Sequence, residues 1–121
     1  MTASMDRLPA LDLTLRKGTR MSKAIQVQTN GAVVPFPAGT KAKMQIRTEV
    51  GSATVEAELT TENDGLVIDE ANALVTINIS TAMSNTFAFE RAVYDLVLIY
   101  TDNEKDPVVE GKLFAFPGVT Q

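Results

Sequence analysis

The chain has 121 residues and is 45% hydrophobic, which suits one domain burying a core of its own. It contains no cysteine, histidine or tryptophan. Disulfides, thiolate or Ser-His-Asp nucleophiles and Cys- or His-based metal sites are therefore excluded. A net charge of −4 with both signs interspersed argues against a surface that coats nucleic acid, which needs an excess of Lys and Arg.

Residues 1–10, "MTASMDRLPA", are polar and irregular. Met5 and Leu8 offer little apolar area, so the expectation is an N-terminal arm without a partner strand of its own. "LDLTLR" then alternates, with Leu11, Leu13 and Leu15 on one face, which is a strand signal. "KGT" is a turn, and "MSKAIQVQT" places Ile25 and Val27 inward. Asn30-Gly31 predicts a tight turn with positive φ at both central positions. "VVPFPAGT" holds two prolines and a glycine, so it reads as a loop crossing from one sheet to another.

"KAKMQIRTE" predicts a strand with Ala42, Met44, Ile46 and Thr48 inward, and "TVEAELTT" one with Val55, Ala57 and Leu59 inward. Asp64-Gly65 marks a turn. "LVID" and "ALVTINIS" are two short strands split at "EANA", the second burying Val75, Ile77 and Ile79. "TAMSNTFAFERA" breaks the period and is the one place for a helical turn. "VYDLVLIY" is nearly continuous apolar sequence, as expected of a strand covered on both sides. "TDNEKD" is a hairpin tip, "PVVEGKLFAF" a closing strand and "PGVTQ" a tail. The expected fold is all-β, a two-sheet Ig-like β-sandwich of about seven to eight short antiparallel strands. Its parts are an arm (1–10), the sandwich (11–117) and a tail (118–121).

Candidate chemistry is sparse. Asp102, Asn103, Glu104 and Asp106 gather oxygens that calcium accepts, but without EF-hand spacing they read as a solvated hairpin tip. Glu62, Asp64, Asp69 and Glu70 could form a carboxylate pair, yet they flank turns that favour Asp for backbone reasons. The five phenylalanines, Phe36, Phe87, Phe89, Phe114 and Phe116, lack the interleaved basic residues of a single-strand nucleic-acid platform and read as core and interface packing. Asn78-Ile79-Ser80 fits the glycosylation pattern by chance inside a strand. No catalytic, cofactor or metal residues are assigned. No apolar run nears the ~20 residues that span a bilayer, and the first residues lack a secretory h-region, so no membrane partner is expected.

The order of segments resembles a known family. "LDLTLRKGT" is followed by a strand and a proline-bearing crossing. Next come "AKMQIRTEVGSATVEAELTTENDGLVID", then "YDLVLIYTDNEKDPVVEGKLFAF" and a terminal "VT". This pattern, from Leu11 to Thr120, is similar to the small β-sandwich domain of tailed-phage virion proteins, such as the N-terminal domains of baseplate and fibre-attachment proteins. The resemblance implies a structural subunit of the virion, made in a bacterial cytoplasm. It would serve as a tail, neck or baseplate accessory, bound to other virion proteins and to copies of itself. A capsid decoration protein, and an Ig-like module that binds a host glycan or protein, are the alternatives. The resemblance supplies no catalytic residues. The candidate assembly contacts are Met5 and Leu8 of the arm and the basic residues Arg16, Lys17 and Arg20.

Overall fold

A computed structural model describes residues 10–118 and the backbone of residues 2–4. Ten strands run in chain order: β1 (Thr2–Ser4), β2 (Leu13–Arg16), β3 (Met21–Thr29), β4 (Ala32–Val33), β5 (Lys41–Arg47), β6 (Ala57–Thr60), β7 (Leu66–Asp69), β8 (Leu74–Ile79), β9 (Arg91–Ile99) and β10 (Lys105–Phe116). A single turn of helix, α1 (Thr81–Asn85), precedes β9. One sheet has the order β1-β3-β8-β7, with β4 paired to β3; the other is β2-β10-β9-β5-β6. We call them the β3 sheet and the β9 sheet. The fold is an all-β sandwich of two sheets.

Alternation explains the packing. A strand turns successive side chains to opposite faces, so one apolar residue in two suffices to line a core. Ile25, Leu66, Val75, Ile77 and Ile79 come from the β3 sheet; Met44, Ile46, Leu59, Leu96, Leu98 and Leu113 come from the β9 sheet. All are at most 1% exposed. Asn30 (φ 52°) and Gly31 (φ 79°) make the tight turn between β3 and β4. The proline-bearing segment then carries the chain to the other sheet. It is held where Phe36 N donates to Glu70 O at 2.9 Å and Gly39 N donates to the Glu70 carboxylate at 2.8 Å.

Four expectations need correction. First, the expected arm (1–10) has a partner strand at Thr2–Ser4. Thr2, Ala3 and Ser4 pair in parallel with Gln26, Val27 and Gln28, and Ala10 forms a parallel bridge with Glu110. Main-chain pairing needs no apolar side chains, so it leaves no alternation to read. β1 thus lies in the β3 sheet and β2 in the β9 sheet. Second, β1 and β4 bring the strands among the described residues to ten, and two of their pairings, β1–β3 and β2–β10, are parallel. Third, β9 is not covered on both sides. It buries Ala92, Tyr94, Leu96 and Leu98, while Val93, Val97 and Ile99 on its outer face are half-buried and Asp95 is exposed. Fourth, β5 ends at Arg47 and β6 begins at Ala57, so Thr48 is exposed and Val55 only half-buried.

The two outer faces differ in chemistry. That of the β9 sheet carries charges of both signs, among them Lys43, Arg47, Arg91, Asp95, Glu110 and Lys112. Lys41 Nζ lies 3.0 Å from the Glu62 carboxylate and Lys43 Nζ 3.7 Å from that of Glu58. That of the β3 sheet presents Ser22, Ala24, Gln26, Gln28, Val67, Leu74, Thr76 and Asn78. Its one charge among the described strand positions is Asp69, at a corner.

Candidate interaction surfaces

Met5 and Leu8 lie outside the described residues. Their expected role as assembly contacts presumed an arm without a partner strand, and the pairing of β1 with β3 removes that premise. Arg16, Lys17 and Arg20 are brought together at the turn from β2 to β3. Arg16 and Arg20 are exposed and Lys17 is half-buried. The turn is a built feature. Gly18 N donates to Ser84 Oγ at 3.0 Å, and that hydroxyl lies 2.8 Å from the Thr19 carbonyl, to which it donates. Ser84 is fully buried on α1, whose N-cap Ser80 accepts from Met83 N. The helical turn therefore serves as a brace that holds the basic turn in place.

Beside this turn, Arg16 pairs in register with Phe116, and Lys17 N donates to the Phe116 carbonyl at 2.8 Å. Phe116 is 52% exposed and stacks on Phe114 with ring centroids 6.5 Å apart. Phe36 and Phe87 are in the core, with Phe87 stacked on Phe89 at 4.7 Å. The phenylalanines thus divide between core and surface. Sequence reasoning did not single out Phe114 and Phe116 as a surface pair, and the signal was available. Leu113 and Ala115 take the inward parity of β10, which turns both rings outward.

A groove of about 780 Å³ opens on the outer face of the β9 sheet, between residues 48–52 and the lead-in to β2. Its lining mixes acidic Asp12, Asp95 and Glu110 with basic Arg47 and Lys112. Glu110 is the register partner of Asp95. The Arg47 guanidinium donates to the Ser52 carbonyl and to Gln45 Oε1, so it clamps the loop that forms one wall. The opposite wall is where Leu11 crosses Gly111. Leu11 N donates to Glu110 O at 2.9 Å, Lys112 N donates to the Asp12 carboxylate at 3.1 Å, and Tyr94 Oη donates to Leu11 O at 2.6 Å. Burial, with the Asp12 carboxylate adding to it, pushes the Tyr94 phenol well above its usual pKa. Tyr94 therefore stays a donor.

The acidic clusters mostly brace turns. Asp69 accepts from Asn72, Glu70 caps Gly39, and hydrogen bonding to Lys41 holds the Glu62 carboxyl below the usual range. Asp64, Asp69 and Glu70 line a second, shallower groove of about 630 Å³ near β7. At the hairpin tip, Glu104 N donates to the Asp102 carboxylate and Tyr100 Oη donates to Asp106 at 2.9 Å. Among the described residues no three His, Cys, Asp or Glu converge as a metal group. No described helix is long and apolar enough to cross a membrane. Chemically, the surfaces offer stacking, hydrogen bonding and charge pairing to a protein neighbour.

A family model for an LtfC-like β-sandwich domain matches residues 7–115. Among solved structures, the N-terminal domain of phage TP901-1 ORF48 superposes with a TM-score of 0.64. The two are 14% identical, over 95% of this chain and 94% of that one, so the likeness is one of fold. No curated protein sequence matches.

Proposed function

This chain belongs to the LtfC-like β-sandwich domain family, and from that premise we propose that it is a structural subunit of a tailed-phage particle. We place it on the tail side, as a tail, neck or baseplate accessory that contacts other virion proteins and further copies of itself. The observation that carries this reading is the near end-to-end correspondence with a phage domain, over 95% of one chain and 94% of the other. The chemistry of the surfaces agrees with it. The chain has no histidine or cysteine, and the carboxylates that might have been catalytic are largely engaged in turns. What it offers instead is a rigid sandwich with a braced basic turn (Arg16, Lys17, Arg20) beside an exposed phenylalanine pair. Both features suit a fixed contact with a neighbouring subunit. The protein is accordingly a non-enzymatic component that reaches its place by assembly.

The test is to purify particles of the phage or prophage that encodes the chain and identify their proteins by mass spectrometry. Immunogold labelling then locates the protein on the particle. The reading expects it in washed particles at a fixed copy number, with label on the tail. Label on the head would favour a decoration protein. Presence in the lysate but absence from washed particles would overturn the structural role.

A further inference from the structure

We propose that the outer face of the β3 sheet is a self-association surface, on which a second copy of this chain docks face to face. The inference rests on the chemistry of that face and is independent of the virion assignment. Along β3 and β8 the outward residues form cross-strand pairs: Ser22 with Asn78, Ala24 with Thr76 and Gln26 with Leu74. Val67 follows next to Thr76 on β7 and is 50% exposed. The chain as a whole is 21% charged, and the β9 sheet alternates Lys, Arg, Asp and Glu across its outer face. The β3 sheet collects almost none of these. Solvated faces are normally where charged residues accumulate, and depletion of charge marks the centre of protein interfaces.

The same chemistry identifies the occupant. A partner of opposite charge would find nothing to pair with on this face. A second copy brings a net charge of −4 but meets no like charge at the centre of the contact, since Asp69 stands at a corner of the face. Hydroxyl and amide side chains each carry a donor and an acceptor, so a face built from Ser, Thr, Asn and Gln can satisfy itself across a two-fold axis. Small side chains at Ser22 and Ala24 let two flat sheets approach to about the 10 Å of stacked sheets.

The area sets the strength. Nine residues of β3 span about 30 Å and three strands about 14 Å, so the face offers roughly 400 Å² per copy. Two copies bury about 800 Å² in total, below the ~1,200 Å² at which stable complexes begin. The contact is therefore weak in dilute solution and becomes populated when copies are concentrated or held side by side.

The purified protein would be examined from about 10 μM to 1 mM by sedimentation velocity and by amide NMR shifts. We expect a monomer at the low end and a rising dimer fraction at the high end. Concentration-dependent shifts should be confined to β3, β7 and β8. Thr76→Arg places a charge at the centre of the face and should abolish the concentration dependence, leaving the melting temperature within a few degrees. Lys43→Glu, on the opposite sheet, should leave the association unchanged. A protein that stays monomeric to 1 mM would overturn the proposal. So would shifts that map to the β9 sheet, or an association that Lys43→Glu removes and Thr76→Arg does not.

Discussion

Gly111→Ala tests the close packing of the lead-in to β2 against β10. A Cβ at this position would lie 2.0 Å from the Leu11 carbonyl oxygen and 2.7 Å from its carbon. Ordinary contact is about 3.4 Å, so the Leu11 main chain must retreat by more than about 1 Å. Gly111 does not have a positive φ; its requirement is space. The retreat stretches the Tyr94–Leu11 bond from 2.6 Å past about 3.5 Å, beyond hydrogen-bonding range. It also strains the Leu11–Glu110 and Asp12–Lys112 bonds. Losing those two bonds, one main-chain and one to the Asp12 carboxylate, costs about 2 kcal/mol, and a buried phenol left without an acceptor about 1–3 more. The sum is about 3–5 kcal/mol. With a urea slope of about 2 kcal/mol per molar, the midpoint in equilibrium unfolding should fall by about 2 M. Tyr94→Phe alone should cost about 1–2 kcal/mol, and in the Gly111→Ala background it should instead recover about 1–3 kcal/mol, because the hydroxyl it removes has no acceptor there. A cost for Gly111→Ala below 1 kcal/mol, or an equal cost for Tyr94→Phe in both backgrounds, would refute the reasoning.

Ile46 and Ile77, each fully buried in opposite sheets, should lose about 2–5 kcal/mol when replaced by Ala, read by the same unfolding assay. Arg47→Ala, on the outer side, should cost only about 1 kcal/mol for its hydrogen bonds to Ser52 and Gln45; an order reversed between Ile46 and Arg47 would mean the strand faces the other way. Ser84→Ala removes the acceptor of Gly18 N and a donor to Thr19 O, so it should cost about 1–3 kcal/mol and raise amide exchange at residues 17–20. The chain has two tyrosines, and both phenols are raised. Burial and then the Asp106 carboxylate push Tyr100 up to about 12. The fold thus favours the neutral phenols. Their contribution is complete below the unfolded value near 10 and is lost as pH rises through the folded values. Absorbance at 295 nm should stay flat through pH 10 in the native protein and titrate near 10 in urea; half-ionisation of the native protein at pH 10 would contradict the burial of Tyr94.

Local chemistry alone determined much of this protein. The alternation in "KAKMQIR" and "ALVTINIS" marks strands and their buried faces, because a strand with one face in a core must repeat every two residues. Asn30-Gly31 specifies its turn, because few other residue pairs accept positive φ twice in succession. The lack of histidine and cysteine removes whole classes of catalysis on composition alone. The order of these segments carried the likeness to a phage β-sandwich. Tertiary structure alone decided the rest. The parallel pairing of Thr2–Ser4 with β3 depends on main-chain groups 24 residues apart (Thr2 with Gln26), which leave no trace in side-chain pattern. The continuous apolar run of β9 could not reveal that only one of its faces lies in the core. The exposure of Phe116, the bracing of the basic turn by Ser84 and the mixed-charge groove each join residues distant in the chain. The neutrality of one outer face belongs to this second group. Ser22, Thr76 and Val67 are unremarkable residues in their own segments, and they become a surface only when strand register sets them side by side.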